Sequence, residues 1–75
     1  MEYADALTNY LKQDGANQLE LAAKVGCTQP AISRYKTGER LPPRTVAEKI
    51  DKHTGGQVPL SLWIAAAAKK FGLAA

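Results

Sequence analysis

Residues 18–37 read QLELAAKVGCTQPAISRYKT, two short apolar patterns at helical spacing that are separated by one glycine. Two helices joined by a tight turn need a small residue where they cross, which Ala22 supplies. They also need a residue that tolerates a positive φ at the turn, and Gly26 stands there. The apolar anchors of the two helices are Leu21, Val25, Ile32 and Tyr35. The stretch therefore predicts a pair of packed helices.

Capping residues mark the ends of both helices. Asn17 stands before the first one, where its side chain can accept a hydrogen bond from the amide of the third residue inside. Thr28 is expected to cap the other helix of the pair, the third along the chain, which covers about residues 28–36 and ends at Gly38. Pro30 falls in the first turn of that helix, where its missing amide would have had no intrahelical acceptor. Both helices thus carry their own start and stop signals.

Three further helices are expected around this pair. The first covers about residues 2–13 and ends before Gly15. The fourth begins at Pro43, and the fifth begins after Pro59 and ends at Gly72. Besides the four anchors, the side chains expected to face the core are Tyr3, Leu7, Tyr10, Leu11, Leu19, Ala22, Val46, Ala47, Ile50, Leu60, Ile64, Ala67 or Ala68, and Phe71. The pattern predicts an all-α fold of five helices.

Composition limits what such a chain can do. Residues 1–75 are expected to form a single domain, since a chain of 75 residues buries only about 60 to 65% of its unfolded surface. With one cysteine and one histidine, an internal disulfide, a four-ligand zinc site and a catalytic triad are all excluded. We expect no metal, no cofactor and no enzymatic activity.

The longest apolar stretch, residues 62–68, is far shorter than the ~20 residues that span a bilayer. A protein without a membrane anchor is therefore expected, and the single cysteine favours a reducing compartment, the cytoplasm.

Charge is distributed unevenly along the chain. The formal net charge is +3, but residues 1–23 carry four acidic residues and one basic residue, whereas residues 24–44 carry five basic residues and one acidic residue. One side of the molecule is therefore expected to be basic. Such a surface attracts polyanions, of which nucleic acid is the commonest for a small basic protein. A solvated surface of lysine and arginine without a partner is the alternative.

Residues 18–37 resemble the helix-turn-helix of the lambda-repressor-like family, of the Cro and cI type. The continuation at residues 38–56, GERLPPRTVAEKIDKHTGG, is similar to small Cro-like phage or prophage regulators of the YdaS kind. The resemblance implies a compact five-helix lambda-repressor-like domain in a bacterial or phage-encoded protein associated with the nucleoid. It also implies a Cro-like repressor that binds a double-stranded operator as a dimer, with the third helix in the major groove and the second across the backbone.

The resemblance places the base contacts on the third helix. Gln29 matches a base-reading position of the family, and its amide can pair with adenine N6 and N7. The guanidinium of Arg34, five residues on, can bind guanine O6 and N7. Ser33 is expected to touch a base or a phosphate, whereas Pro30 and Ala31 offer at most a contact with a thymine methyl group.

Phosphate contacts are expected from the flanks of that helix. At the amino end of the second helix, unpaired amides and the helix dipole favour an anion, and Gln18 stands there. After the third helix, basic residues and a glycine follow in close succession. The expected phosphate-contacting residues are Gln18, Thr28, Lys36, Thr37, Gly38, Arg40 and Arg44.

Plainer interpretations of these side chains remain open. Gln29 can be a solvated residue of the first turn, and Arg34 can pair at the surface with Glu39 or Asp14. The lysines and arginines of the flanks can be solubilising charge only. Cys27 follows the turn glycine, where a packed thiol is expected rather than a redox switch.

The fifth helix shows apolar residues on more than one side, which is more than a small core needs. We expect a homodimer seam formed by Leu62, Trp63, Ala66 and Ala67. The alternative is that Trp63 fills the base of the core. A second function also stays open, an antitoxin-type interaction module whose fifth helix docks a partner protein while DNA binding serves autoregulation.

Overall fold

The structure, a computed structural model, describes residues 1–71. Its elements are α1 (Tyr3–Leu11), α2 (Gln18–Val25), α3 (Gln29–Thr37), α4 (Arg44–His53) and α5 (Leu60–Phe71). The described part of the chain thus has five helices and no strand, which confirms the predicted all-α class. The predicted end of the fifth helix at Gly72 lies outside the described residues.

The local signals at α2 and α3 act as predicted. Asn17 Oδ1 accepts a hydrogen bond from the Glu20 amide at 2.7 Å. Thr28 Oγ1 accepts one from the Ala31 amide at 3.3 Å. Gly26 ends α2 with φ 76° and ψ 33°, the left-handed conformation that a glycine adopts without strain. Each of these helix ends is therefore determined by residues no more than four positions apart in the sequence.

The first helix is shorter than its pattern predicts. α1 ends at Leu11, and two amides close its last turn: the Lys12 amide donates a hydrogen bond to the Asn9 carbonyl at 3.3 Å, and the Gln13 amide donates one to the Tyr10 carbonyl at 3.1 Å. The chain then turns through Gly15, which has φ 83°. Because α1 ends at Leu11, the chain can reverse its direction before α2 begins at Gln18.

One core joins all five helices. α2 and α3 pack against each other, α1 lies against α3, α4 lies against α2, and α5 closes the bundle against α4 and α1. The buried apolar side chains are Tyr3, Ala6, Leu7, Leu21, Ala22, Val25, Ile32, Tyr35, Ala47, Ile50, Val58 and Ala67. All four predicted anchors of the helix pair are among them. Because each large buried side chain contributes about 1.5–3 kcal/mol, these anchors hold the pair more strongly than caps worth about 1 kcal/mol each.

The prediction that Leu19 and Ile64 face the core is wrong. Leu19 is 65% exposed and Ile64 is 48% exposed. Leu19 lies two positions from the buried Leu21, about 200° around the helix, so both side chains cannot face the core. Ile64 is turned about 100° from Trp63, which packs against the core.

The inner side of α5 consists of the residues predicted to form the homodimer seam. Ala67 is 4% exposed and belongs to the core, which corrects its assignment to a seam because almost none of its surface is left for a partner. Leu62, Trp63 and Ala66 are half-buried and pack against the same core. Trp63 Nε1 also donates a hydrogen bond to the Pro42 carbonyl oxygen at 2.7 Å. These contacts favour the alternative in which Trp63 fills the core.

The connection between α4 and α5 holds core residues that the sequence patterns did not indicate. Val58 is fully buried and Thr54 is 3% exposed. Thr54 Oγ1 donates to the Asp51 carbonyl and accepts from the Val58 amide, both at 3.2 Å. The Asp51 carboxylate in turn accepts from the Leu60 amide at 3.0 Å. The connection is a hydrogen-bonded corner that sets the direction of α5.

Leu21→Ala is expected to lower the free energy of unfolding by about 2–5 kcal/mol, because it leaves a cavity in the core. Leu19→Ala is the matched control on the same helix, and its loss is expected to stay within about 0.5 kcal/mol because the side chain is exposed. Urea titration followed by circular dichroism measures both variants. Equal losses would contradict the assignment of the two sides of α2.

Trp63→Phe keeps an aromatic ring in place but removes the donor to the Pro42 carbonyl. The free energy of unfolding is expected to fall by about 0.5–1.5 kcal/mol, the net contribution of a typical hydrogen bond. Thermal unfolding followed by circular dichroism measures the loss, and sedimentation is expected to stay unchanged. A variant that keeps its stability but no longer self-associates would instead assign Trp63 to a seam.

Candidate nucleic-acid interface

The exposed side of α3 brings together the residues predicted to contact bases. Gln29, Ser33 and Thr37 recur every four residues and form one row along the helix. Pro30 and Arg34 form the adjacent row. Ser33 is half-buried and the other four residues are exposed. The two rows form one continuous outward arc, because the anchors of α3 hold its other side in the core.

Ala31 lies at the edge of this arc. It is half-buried and packs against the core. Its methyl group therefore has less surface for a thymine contact than the exposed ring of Pro30. Among the predicted base-contacting residues, Ala31 is the one that the fold directs furthest inward.

The carboxyl end of α3 is held by α1 and by the following loop. Thr8 Oγ1 on α1 donates a hydrogen bond to the Lys36 carbonyl at 3.1 Å. The Arg40 amide donates to the Arg34 carbonyl at 3.2 Å. Gly38, with φ 81°, makes the left-handed turn between them. The backbone that carries the basic side chains after α3 is therefore held in one conformation.

Two of the predicted phosphate contacts lie at the amino ends of α2 and α3, and they provide different hydrogen-bond donors. Gln18 begins α2 and is half-buried. Asn17 occupies only the Glu20 amide, so the first amides of α2 keep no intrahelical acceptor and can bind an anion. Thr28 accepts the Ala31 amide through its oxygen, which leaves its hydroxyl proton for a phosphate.

Two of the other predicted phosphate contacts are partly engaged within the chain. Thr37 Oγ1 donates its proton to the Arg34 carbonyl at 3.1 Å. Arg44 Nε lies 3.5 Å from a carboxylate oxygen of Glu48, and the two side chains are 60% and 52% exposed. A solvent-exposed pair of this kind contributes less than about 1 kcal/mol. Arg44 can therefore exchange Glu48 for a phosphate, whereas Thr37 must first release its proton from the helix.

The sequence leaves open whether Arg34 pairs with Glu39 or Asp14. Within residues 1–71, the ion pairs are Arg44 with Glu48, at 3.5 Å, and Lys69 with Glu2, at 3.8 Å. Neither Glu39 nor Asp14 forms an ion pair with Arg34 in this part of the chain. The Arg34 side chain is exposed, and its guanidinium keeps its donors for a ligand.

Two titratable groups lie on the core side of the helix pair. Burial raises the pKa of the Cys27 thiol. Burial also raises the pKa of the Tyr35 phenol, with a further increase from Cys27 and an opposing effect from Arg40. Both groups therefore stay protonated at neutral pH. Cys27 also packs against the core, which agrees with a packed thiol rather than a reactive thiolate.

The described residues place several polar side chains together on the exposed side of α3. Within residues 1–71, no three side chains of the histidine, cysteine, aspartate or glutamate type come together as a metal-ligand set. In the same part of the chain, no helix has the length and apolar character needed to cross a membrane. The exposed side of α3 offers amide, hydroxyl and guanidinium groups, which are the groups that hydrogen-bond to base edges and phosphates.

A family model named HTH_3, helix-turn-helix, matches residues 7–61 of the chain. Comparisons with curated proteins and with solved structures found no significant match. The matched range covers more than half of the chain and includes α2, α3 and the left-handed turn at Gly26. The geometry within it is that of two capped helices with one outward polar arc. The lambda-repressor-like resemblance is thereby confirmed, and the chain belongs to the HTH_3 helix-turn-helix family of DNA-binding proteins.

Proposed function

We propose that this protein is a sequence-specific transcriptional regulator, a Cro-like repressor that binds operator DNA as a dimer with α3 in the major groove. The observation that carries the proposal is the outward arc of α3, which stands opposite the fully buried Ile32. The major groove is about 12 Å wide and admits one α-helix. Because the polar side chains already face outward, α3 can approach base edges without rearrangement.

Gln29 and Arg34 are the proposed base-reading residues. They lie five positions apart, about 7.5 Å along the axis of α3, which is more than the rise of about 3.4 Å between neighbouring base pairs. Each can therefore read its own base pair, Gln29 an adenine and Arg34 a guanine. Ser33 lies between them for a base or a phosphate, and Pro30 offers its ring to a thymine methyl group.

The proposed phosphate contacts surround this arc. The residues assigned to them are Gln18, Thr28, Lys36, Thr37, Gly38, Arg40 and Arg44. Their support is chemical, because the set combines the free amides at the start of α2 with threonine hydroxyls and with the cations Lys36, Arg40 and Arg44. Binding that uses these contacts releases counterions from DNA, so the affinity falls steeply as salt is added.

Selection from a pool of random duplexes is expected to enrich inverted repeats, since a two-fold dimer contacts two matched half-sites. On the enriched site, Gln29→Ala and Arg34→Ala are each expected to reduce the binding free energy by about 1–3 kcal/mol, with little change on random duplexes. Fluorescence anisotropy at several salt concentrations measures these reductions.

Lys36→Gln and Arg40→Gln are the controls for this series. They are expected to weaken binding to every duplex alike and to reduce the slope of log K against log salt by about 1 each. If Gln29→Ala and Arg34→Ala weaken binding to random duplexes as much as to the enriched site, base reading by α3 is contradicted.

The outer side of α5 supports the dimer. Ser61, Ile64, Ala65 and Ala68 follow the i, i+3, i+4, i+7 spacing of one helix side. Ile64 is 48% exposed, and its neighbours are small enough for a second helix to approach closely. We therefore place the homodimer seam on this side rather than on the inward-facing residues that the sequence suggested, with the same side of a second copy as its partner.

Ile64→Glu is expected to raise the dissociation constant of the dimer at least tenfold, about 1.4 kcal/mol, because it adds two like charges to a two-fold seam. Sedimentation equilibrium measures the constant, and circular dichroism checks that the fold is kept. Ala23→Glu adds the same charge on the exposed side of α2 and is expected to leave the dimer intact. A wild-type chain that binds an inverted repeat only as a single copy would contradict the seam.

A further inference from the structure

A groove of about 300 Å³ lies where the amino end of α1, the carboxyl end of α3 and the last described turns of α5 meet. Its apolar floor is formed by Tyr3, Tyr35, Leu41 and Ala66. Its charged rim is formed by Arg40, Lys69, Lys70 and Glu2. The lysines of α5 thus stand beside the loop that follows α3, the proposed recognition helix, and the rim has three cations against one carboxylate.

Both lysines are held at the rim of this groove by weak contacts. Lys70 Nζ donates a hydrogen bond to the Glu39 carbonyl at 3.4 Å, across 31 positions of sequence. Lys69 Nζ lies 3.8 Å from a carboxylate oxygen of Glu2, and the two side chains are 78% and 65% exposed. Exposed contacts of this kind are easily exchanged. Both ammonium groups can therefore leave these partners for a stronger anion.

We infer that Lys69 and Lys70 bind the DNA backbone next to Arg40, so that α5 adds a phosphate site to the helix-turn-helix. The inference rests on the proposed function, because DNA phosphates come close to Arg40 only when α3 lies in the major groove. A phosphate backbone supplies the closely spaced anions that three neighbouring cations need. Both lysines lie outside residues 7–61, so the family match assigns them no role.

A plainer role for the two lysines is to favour the negative end of the α5 dipole. The two roles differ in what they predict. A dipole role affects the stability of the fold and leaves the salt dependence of DNA binding unchanged. A phosphate role affects the salt dependence, and it does so equally on all DNA sequences.

The chain contains a second group of basic side chains, and its lysines serve as a control. Lys24, Lys49, Lys52 and His53 line a separate notch between α2 and α4. The recognition helix contributes no lining residue to this notch. Lys24→Gln with Lys52→Gln therefore removes the same charge as Lys69→Gln with Lys70→Gln, at a place where no DNA contact is proposed.

Lysine acetylation of the full chain, with and without a bound duplex, shows directly which lysines the DNA covers. With sulfosuccinimidyl acetate as the reagent and mass spectrometry as the readout, the duplex is expected to slow acetylation of Lys69, Lys70 and Lys36 several-fold. Lys24 and Lys52 are expected to react as in the free protein. Protection of Lys24 and Lys52 without protection of the α5 lysines would overturn the inference.

Salt titration of DNA binding tests whether Lys69 and Lys70 neutralise phosphates in the complex. The Lys69→Gln, Lys70→Gln double variant is expected to reduce the slope of log K against log salt by about 0.9 for each phosphate that the lysines no longer neutralise. The Lys24→Gln, Lys52→Gln control is expected to keep the wild-type slope. Glu2→Gln is expected to act in the opposite direction and strengthen binding, since it removes the carboxylate that competes for Lys69.

The failure of this inference is distinct from failure of the proposed function. A double variant on α5 that melts at a lower temperature but keeps the wild-type slope would assign the lysines to the helix dipole and overturn the inference. The proposed function stands in that case, provided that Arg40→Gln still reduces the slope. A chain in which neither Arg40→Gln nor Lys36→Gln affects DNA binding would overturn both.

Discussion

Ile32 and Tyr35 lie three positions apart on α3, and their burial against α1 and α2 decides which side of this helix faces outward. The two side chains are 0% and 8% exposed, and burying them contributes several kcal/mol, at about 1.5–3 for each large apolar side chain. The cap at Thr28 is worth only about 1 kcal/mol. A rotation of α3 by one residue, about 100°, would carry polar side chains into the core. The outward arc is therefore a consequence of the buried pair.

The helix pair depends on the other three helices for its stability. α2 has eight residues and α3 has nine, and isolated helices shorter than about 12–15 residues are marginal in water. α1 covers α3 and caps its carboxyl end through Thr8, while α4 covers α2. α5 is joined to the loop after α3 through Trp63 and Pro42. The polar side chains of α3 can thus remain exposed because hydrophobic packing elsewhere holds the helix in place.

α5 connects three features that lie far apart along the chain. Its inner side completes the core through Ala67, and its outer side presents Ile64 to solvent. Its carboxyl part lies beside the loop after α3, where Lys70 contacts the Glu39 carbonyl. Self-association and an added phosphate site are therefore both proposed for α5. The proposed dimer seam uses none of the side chains that are proposed to contact DNA.

The sequence by itself determined the five helices, the glycine turn, the caps of α2 and α3 and the four anchors of the pair, because these features arise from hydrogen bonds and spacing within a few residues. Family membership and the outward position of Gln29 and Arg34 follow from the same local pattern. Only the tertiary structure decided that Leu19 and Ile64 face solvent and that Val58 is buried in a corner. α2 and α5 carry apolar residues on more than one side, and which side is buried depends on the helices packed against it. The contact between Lys70 and Glu39, across 31 positions, depends in the same way on how α5 packs and has no local signal.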